Sequence, residues 1–142
     1  FSIKVQGFRY FNVYGNFENH KGDQASPVHK FTKQAREKGR IQIFEGSEKF
    51  YRDFVCVEDI CQIHEKFFDI DKTGLWNVGT GETHSFREVA NAIAEKEGAS
   101  IIEIPMPENL KTQYQTYTCA DLTKLNKLVN MKWIDVIDWI KK

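Results

Sequence analysis

Gly7-Phe8-Arg9-Tyr10-Phe11-Asn12-Val13-Tyr14-Gly15 decides the fold. Aromatic and β-branched residues crowd the run from Ile3 to Tyr14, which reads as one strand. It closes on an asparagine and a turn glycine. That pattern sets polar donors at the carboxyl end of a sheet, where open α/β folds take their ligands. Gly15, Asn16, Gly22 and Asp23 then mark a long loop. Ser26 followed by Pro27 reads as the N-cap and first residue of a helix over 27–38. Val28, Phe31 and Ala35 give it an apolar face, and Gly39 is its stop.

Ile41–Phe44 and Phe50–Val57 read as two short strands, and the Glu45-Gly46-Ser47 turn between them predicts a hairpin or a tight crossover. Glu58 and Asp59 open the next helix, where acids suit the positive end of the dipole. Its expected apolar face is Ile60, Cys61, His64, Phe67 and Phe68. Leu75–Val78 is a further strand ending in Gly79-Thr80-Gly81. Ser85 and Glu88 make a capping-box pattern for a helix carrying Phe86, Val89, Ala90, Ile93 and Ala94 and stopping at Gly98. Ile101–Ile104 reads as a strand. Asp121 is the expected cap of a short helix with Leu122, Leu125 and Leu128, and Trp133, Val136, Ile137 and Ile140 form a last amphipathic helix. Strands and helices alternate, which predicts an α/β fold.

The chain has 142 residues, enough for one domain with a core. Its 20 basic and 20 acidic side chains cancel. No global field draws it to nucleic acid or an anionic membrane, so neither is an expected partner. No run approaches the ~18 apolar residues of a membrane span, and no signal peptide is visible. Cys56, Cys61 and Cys119 form no CxxC pair and no zinc spacing, so no metal site is expected. Their odd number fits reduced thiols in the cytoplasm. Phe1 leads straight into a strand-like run, which suggests part of a longer protein.

Three clusters could carry chemistry. The first is the strand end at Asn12, although aromatics in a strand are more often core. The second is His20-Lys21-Gly22 in the loop, although a loop lysine is commonly just solvated. The third is Phe44-Glu45-Gly46-Ser47 followed by Arg52-Asp53-Phe54-Val55. An arginine beside a glycine turn suits a diphosphate, because the guanidinium offers a planar fork of donors. The plainer reading there is a surface pair of Arg52 with Asp53, which contributes little. His64 reads as a core or boundary histidine, and His84 as surface. His29 and the basic run Lys30, Lys33, Arg36, Lys38 and Arg40 read as a solvated face.

In their order these clusters are more specific than any one of them. GFRYFNVYG, HKG, FEGSEKFYRDFV and WNVGTG together resemble the extended short-chain dehydrogenase/reductases. HKG after the FNVYG strand, and YQTYTCADLTKL near the end, resemble the ADP-glyceromanno-heptose 6-epimerases. The resemblance implies the C-terminal portion of such an enzyme: the last strands of the Rossmann sheet plus the smaller mixed α/β substrate-binding domain. Residues 1–15 would be a late Rossmann strand. Residues 16–142 would be mainly substrate-binding domain, with a returning strand near 75–81 and the N-terminal cofactor domain absent. Apolar surface would then be exposed where the missing sheet packs.

The implied activity is an isomerase that inverts C6 of the heptose in ADP-heptose, for lipopolysaccharide core assembly. A bound NADP oxidises that carbon transiently and reduces it again. Family members are homo-oligomers. Lys21 falls on the lysine that serves as one of two bases and also meets the cofactor. The other base, in a Tyr-x-x-x-Lys motif, is not in this chain. A free lysine has a pKa near ~10.4, so a basic role asks for desolvation or a nearby cation. Asn12 is implied as a substrate contact, with Val13 beside the nicotinamide. Phe44, Glu45, Gly46 and Ser47 would line the nucleotide sugar, Arg52 would meet the ADP, and Tyr114 would touch substrate. Asp23 and Lys30 fall where the family makes further substrate contacts, often with serine and histidine. Asn16 replaces a frequent proline and Cys56 a frequent tyrosine. Gly79-Thr80-Gly81 is too short to stand in for a dinucleotide glycine motif, so these residues alone are expected to be inactive. Two alternatives remain open: another nucleotide-sugar epimerase or dehydratase of the superfamily, and a non-catalytic nucleotide-sugar-binding module.

Overall fold

The structure is a computed structural model and describes residues 3–142. Its elements begin β1 (Gln6–Tyr10), β2 (Asn12–Tyr14), α1 (Pro27–Lys38), β3 (Arg40–Phe44), β4 (Tyr51–Arg52), β5 (Phe54–Cys56), α2 (Val57–Phe67) and β6 (Gly74–Val78). They continue β7 (His84–Ser85), α3 (Phe86–Glu97), β8 (Ser100–Ile104), α4 (Glu108–Lys111), β9 (Tyr117–Thr118), α5 (Thr123–Asn126) and α6 (Val136–Lys141). The fold is mixed α/β, built on small parallel sheets.

The run expected to be one strand breaks at Phe11. β1 lies parallel to β6, and β2 lies parallel to β5. The change of partner takes one residue: Phe11 N–H donates to Val78 O at 3.0 Å, and Asn12 N–H donates to Asp53 O at 3.0 Å. The second expected strand breaks at Asp53, and Val57 already belongs to α2. No hairpin joins the 41–44 and 50–57 segments. β3 pairs in parallel with β8, and β4 lies between antiparallel β7 and parallel β9. Hydrophobic runs of a few residues specify strands but not partners, which distant segments supply.

The helices follow their caps. Ser26 Oγ accepts from His29 N at 3.2 Å, and the Ser85–Glu88 capping box forms as read. Asp121 is not the cap expected of it: Leu122 stands at the N-cap of α5 without a side-chain cap bond, and Asp121 Oδ1 accepts from Thr123 N at 3.0 Å in the turn that leads in. The last helix starts later than its apolar residues suggest, because Asp135 caps it by accepting from the N–H groups of Ile137 and Asp138. α2 turns a different face inward. Asp59, Ile60, Ile63 and Phe67 are buried, whereas Cys61 and His64 face solvent and Phe68 lies beyond the helix, 89% exposed. Asp59 goes inside because its carboxylate accepts from Ile134 N at 2.8 Å, tying α2 to the segment before α6.

Two cores result. One joins Val28, Ile41, Ile43, Val89, Ile93 and Ile140 between α1, α3, α6 and β3. The other centres on Trp76, Phe67, Ile63, Val55 and Leu125. Each fully buried large apolar side chain contributes roughly 1.5–3 kcal/mol. Ile3, Val5, Tyr10 and Leu75 remain exposed on and beside β1 and β6.

Asp53 joins the two halves of the site. Its buried carboxylate accepts from Thr80 N at 2.7 Å, Thr80 Oγ1 at 2.9 Å, Gly81 N at 2.9 Å and Ala120 N at 3.1 Å. Gly79 is required beside it, since a Cβ there would lie 2.6 Å from Asp53 Oδ2. Asp53→Asn sets an NH2 group against those donors and is expected to cost roughly 2–4 kcal/mol in urea unfolding. Gly79→Ala should also destabilise. A loss below about 0.5 kcal/mol for both, the size of an ordinary surface change, would remove Asp53 from this role.

Candidate functional site

Arg52 is the centre of the site. β4 is only two residues long, but pairing on both edges fixes its direction. Arg52 Nη1 donates to Tyr51 O at 2.9 Å. Its guanidinium carbon sits 5.3 Å from the Phe86 ring centre and 5.5 Å from that of Tyr114, both within cation–π range. Burial lowers its pKa, with the Tyr114 hydroxyl opposing, yet an arginine remains a cation. The surface pair with Asp53 does not form, because the Asp53 carboxylate points inward to backbone donors. No carboxylate forms an ion pair with Arg52 among the described residues.

Tyr114 is held by aromatic neighbours, with ring centres 4.8 Å away at Phe50 and 6.2 Å at Phe44. Burial raises its phenol pKa, against the Arg52 cation, so it stays a neutral hydroxyl. Lys30, Phe44, Ser47, Phe50, Phe86 and Tyr114 line a cavity of about 360 Å³. Gly46, at φ 81°, lets the Glu45-Gly46-Ser47 turn bring Ser47 to that wall. Ser47 Oγ is buried and has no hydrogen-bond partner among the described residues. A second cavity of about 560 Å³ is lined by Asn12, Arg52, Asn77, Gln115 and Thr118, among others. Arg52 therefore lines one cavity and stacks on rings that line the other.

The remaining expected residues are placed differently. Val13 is partly buried opposite Val55, and Glu45 is exposed. Lys30 Nζ donates to Asp23 O at 2.6 Å, so those two meet through the Asp23 backbone and not its carboxylate. Lys21 lines neither cavity. Its ammonium meets Glu18 Oε2 at 3.5 Å, a carboxylate partner and not the cation that the basic role asks for. Glu18 is buried and also accepts from Gly15 N at 3.1 Å, Ser26 N at 2.8 Å and Ser26 Oγ at 2.8 Å. The same serine caps α1, so the Lys21 loop is tied to that helix.

Sequence reasoning passed over Glu18, Phe50, Phe86 and Thr118. Phe86 carried only the signal of a core stripe. Glu18 had a signal, an acid three residues before Lys21 in a polar loop. His84 is not free surface: its Nε2 lies 2.7 Å from Asp135 Oδ2. His64 is exposed and its Nε2 lies 2.5 Å from the Tyr10 hydroxyl. The three cysteines are free thiols. Among the described residues, no group of three or more His, Cys, Asp or Glu side chains could hold a metal, and no helix is long and apolar enough to cross a membrane.

Residues 1–79 match the model of the NAD dependent epimerase/dehydratase family. The chain belongs to that family. A relative in Brachyspira hyodysenteriae, an ADP-L-glycero-D-manno-heptose-6-epimerase, is 47% identical over 124 residues, covering 86% of this chain and 39% of the relative. The crystal structure of the Helicobacter pylori ADP-L-glycero-D-manno-heptose-6-epimerase superposes with a TM-score of 0.81 at 30% identity, over 97% of this chain and 42% of that one. A UDP-glucose 4-epimerase from Thermotoga maritima, crystallised with UDP-glucose, gives 0.82 at 23% identity over 98% and 44%, a likeness of fold. The chain thus spans about two fifths of the length of these epimerases.

For a family named for its dinucleotide, the glycine turn after β6 is the first place to test. Thr80 N and Gly81 N both donate to Asp53, so that turn has those N–H groups engaged and does not fit a dinucleotide phosphate. The turn after β6 therefore does not provide a phosphate cradle for the dinucleotide.

Glu18 gives a pH test. Burial raises its pKa, but hydrogen bonds from Ser26 and Gly15 and the Lys21 charge outweigh it, leaving it below the ordinary value of about 4.5. A depressed carboxylate stabilises the fold above its unfolded value, and that stability is lost as pH falls through the folded value. Urea unfolding of the wild type should therefore weaken below about pH 4.5 more steeply than that of Glu18→Gln. Parallel pH profiles would contradict the clamp.

Proposed function

We propose that this chain is the nucleotide-sugar-binding part of an ADP-glyceromanno-heptose 6-epimerase, an isomerase of lipopolysaccharide core biosynthesis in the cytoplasm. The observation that carries the reading is the Arg52 guanidinium, stacked on Phe86 and Tyr114 between two cavities and free of carboxylate partners among the described residues. The 47% identity to a named heptose epimerase supports the substrate class.

In this reading Arg52 presents its fork to the diphosphate of ADP-heptose. The rings of Phe86 and Tyr114, the latter backed by Phe44 and Phe50, keep water from its flanks, which strengthens the charge contact. The unpartnered Ser47 hydroxyl gains a hydrogen bond from the ligand. Asn12, the first residue of β2 just past the carboxyl end of β1, faces the sugar, and Glu45, Gly46, Asp23 and Lys30 are further contacts at its edge. Val13 backs the nicotinamide. NADP, when bound, supplies the hydride acceptor and donor at C6. Lys21 moves a proton at the C6 oxygen, and its link to Glu18 positions the loop that carries it. Of the expected late Rossmann strand over 1–15, residues 1 and 2 lie outside the described residues; β1 and β2 take that place, and residues 16–142 act mainly as substrate-binding domain. The opposite-face base and the dinucleotide phosphate site belong to the rest of the enzyme, which works as a homo-oligomer, so the chain alone turns nothing over.

Two measurements test this. Arg52→Met should weaken ADP binding by about 1.5–3 kcal/mol, the worth of a hydrogen bond to a charged group. In the complete enzyme, Lys21→Met should lower turnover of ADP-heptose by roughly 10²-fold or more, as loss of a proton-transfer group does. Equal turnover of UDP- or GDP-sugars would move the assignment to another nucleotide-sugar enzyme. Unchanged turnover in Lys21→Met would remove that residue from the chemistry.

A further inference from the structure

Thr118 sits where the site has a second unanswered hydroxyl. It belongs to β9, and in the parallel β4–β9 pair it lies directly beside Arg52. Residues so paired project from the same face of a sheet. The backbone around it is fixed on both sides: Asp53 N donates to Thr118 O at 3.0 Å, and Tyr51 N donates to Thr116 O at 2.8 Å. Thr118 belongs to the wall of the 560 Å³ cavity together with Asn12, Gln115 and Arg52. That lining carries two guanidinium groups, Arg9 and Arg52, and no carboxylate. Thr118 Oγ1 is buried and has no hydrogen-bond partner among the described residues.

A buried hydroxyl without a partner destabilises a fold, so such groups are rare and call for an explanation. Valine has the same branching and suits a strand as well as threonine does. A structural role alone would therefore favour valine here. The hydroxyl makes sense if a ligand completes it. Its neighbour Arg52 defines that ligand chemistry: an anion held by a guanidinium, with a neutral O–H as the second donor.

We propose that Thr118 is a further ligand contact, its hydroxyl donating to an oxygen of the diphosphate that Arg52 holds. This rests on the nucleotide-sugar reading of the same site and adds to it a residue outside the expected set. The β4–β9 pairing sets Thr118 beside Arg52, and a rotation about the Thr118 Cα–Cβ bond turns the buried hydroxyl toward the ligand with no change in the strands.

The test separates ligand binding from stability, using this chain and ADP as the probe. Thr118→Val should unfold at the same temperature as the wild type or higher, because an unpartnered hydroxyl is removed. Its ADP dissociation constant, measured by calorimetry, should rise roughly tenfold, the loss of one charge-assisted hydrogen bond. Thr118→Ser keeps the hydroxyl and should restore wild-type affinity. An unchanged dissociation constant in Thr118→Val overturns the proposal. So does a drop of several degrees in unfolding temperature, which would make the hydroxyl structural, or a failure of serine to rescue. Arg52→Met is the separate arm: if it alone weakens ADP binding, the site reading stands and only the Thr118 contact falls. If neither Arg52→Met nor Thr118→Val weakens it, or the wild type shows no ADP binding at millimolar concentration, both fall.

Discussion

A buried carboxylate holds three distant segments together. Asp53 lies in the break between β4 and β5, and its two oxygens take N–H groups from the Gly79–Gly81 turn and from Ala120. Its own carbonyl receives Asn12 N–H, the bond by which the first strand run passes from β6 to β5. An ionised carboxylate surrounded by backbone donors is stable away from water, whereas the same group without them would not be. The position of Arg52, one residue earlier, depends on this. With Asp53 turned inward, Arg52 must project the other way, toward Phe86 and Tyr114.

The site then follows from a contrast between satisfied and unsatisfied polar groups. Asp53 and Glu18 are saturated with donors, and they build the frame. Ser47 Oγ and Thr118 Oγ1 are buried without partners among the described residues, and their residues belong to the walls of the two cavities at Arg52 and its stacking rings. The guanidinium itself is aligned by rings and by one backbone carbonyl, which leaves much of its donor fork for a ligand. Lys21 stands apart from both cavities and is held by Glu18.

Much of this was legible in the chain. Helix boundaries at Ser26, Gly39, Ser85 and Gly98 follow from local capping chemistry, and the structure keeps them. The ordered motifs named the expected contacts, and the structure brings Phe44, Ser47, Lys30 and Tyr114 to one cavity and Asn12 and Arg52 to another. Strand partners were not legible. The apparent hairpin around Gly46 is a turn between strands of two different sheets. The face of α2 was misread because an acid, Asp59, occupies a core position that only a donor from the distant residue Ile134 makes tolerable.

By itself the sequence determined the α/β class, the capped ends of α1 and α3, and the family, because those depend on local spacing and on motif order. The tertiary structure alone decided which strand pairs with which and which polar groups are buried with partners. It also decided that Arg52 meets aromatic rings instead of Asp53. Those outcomes rest on contacts between residues tens of positions apart, whose energies exist only after the chain has brought them together.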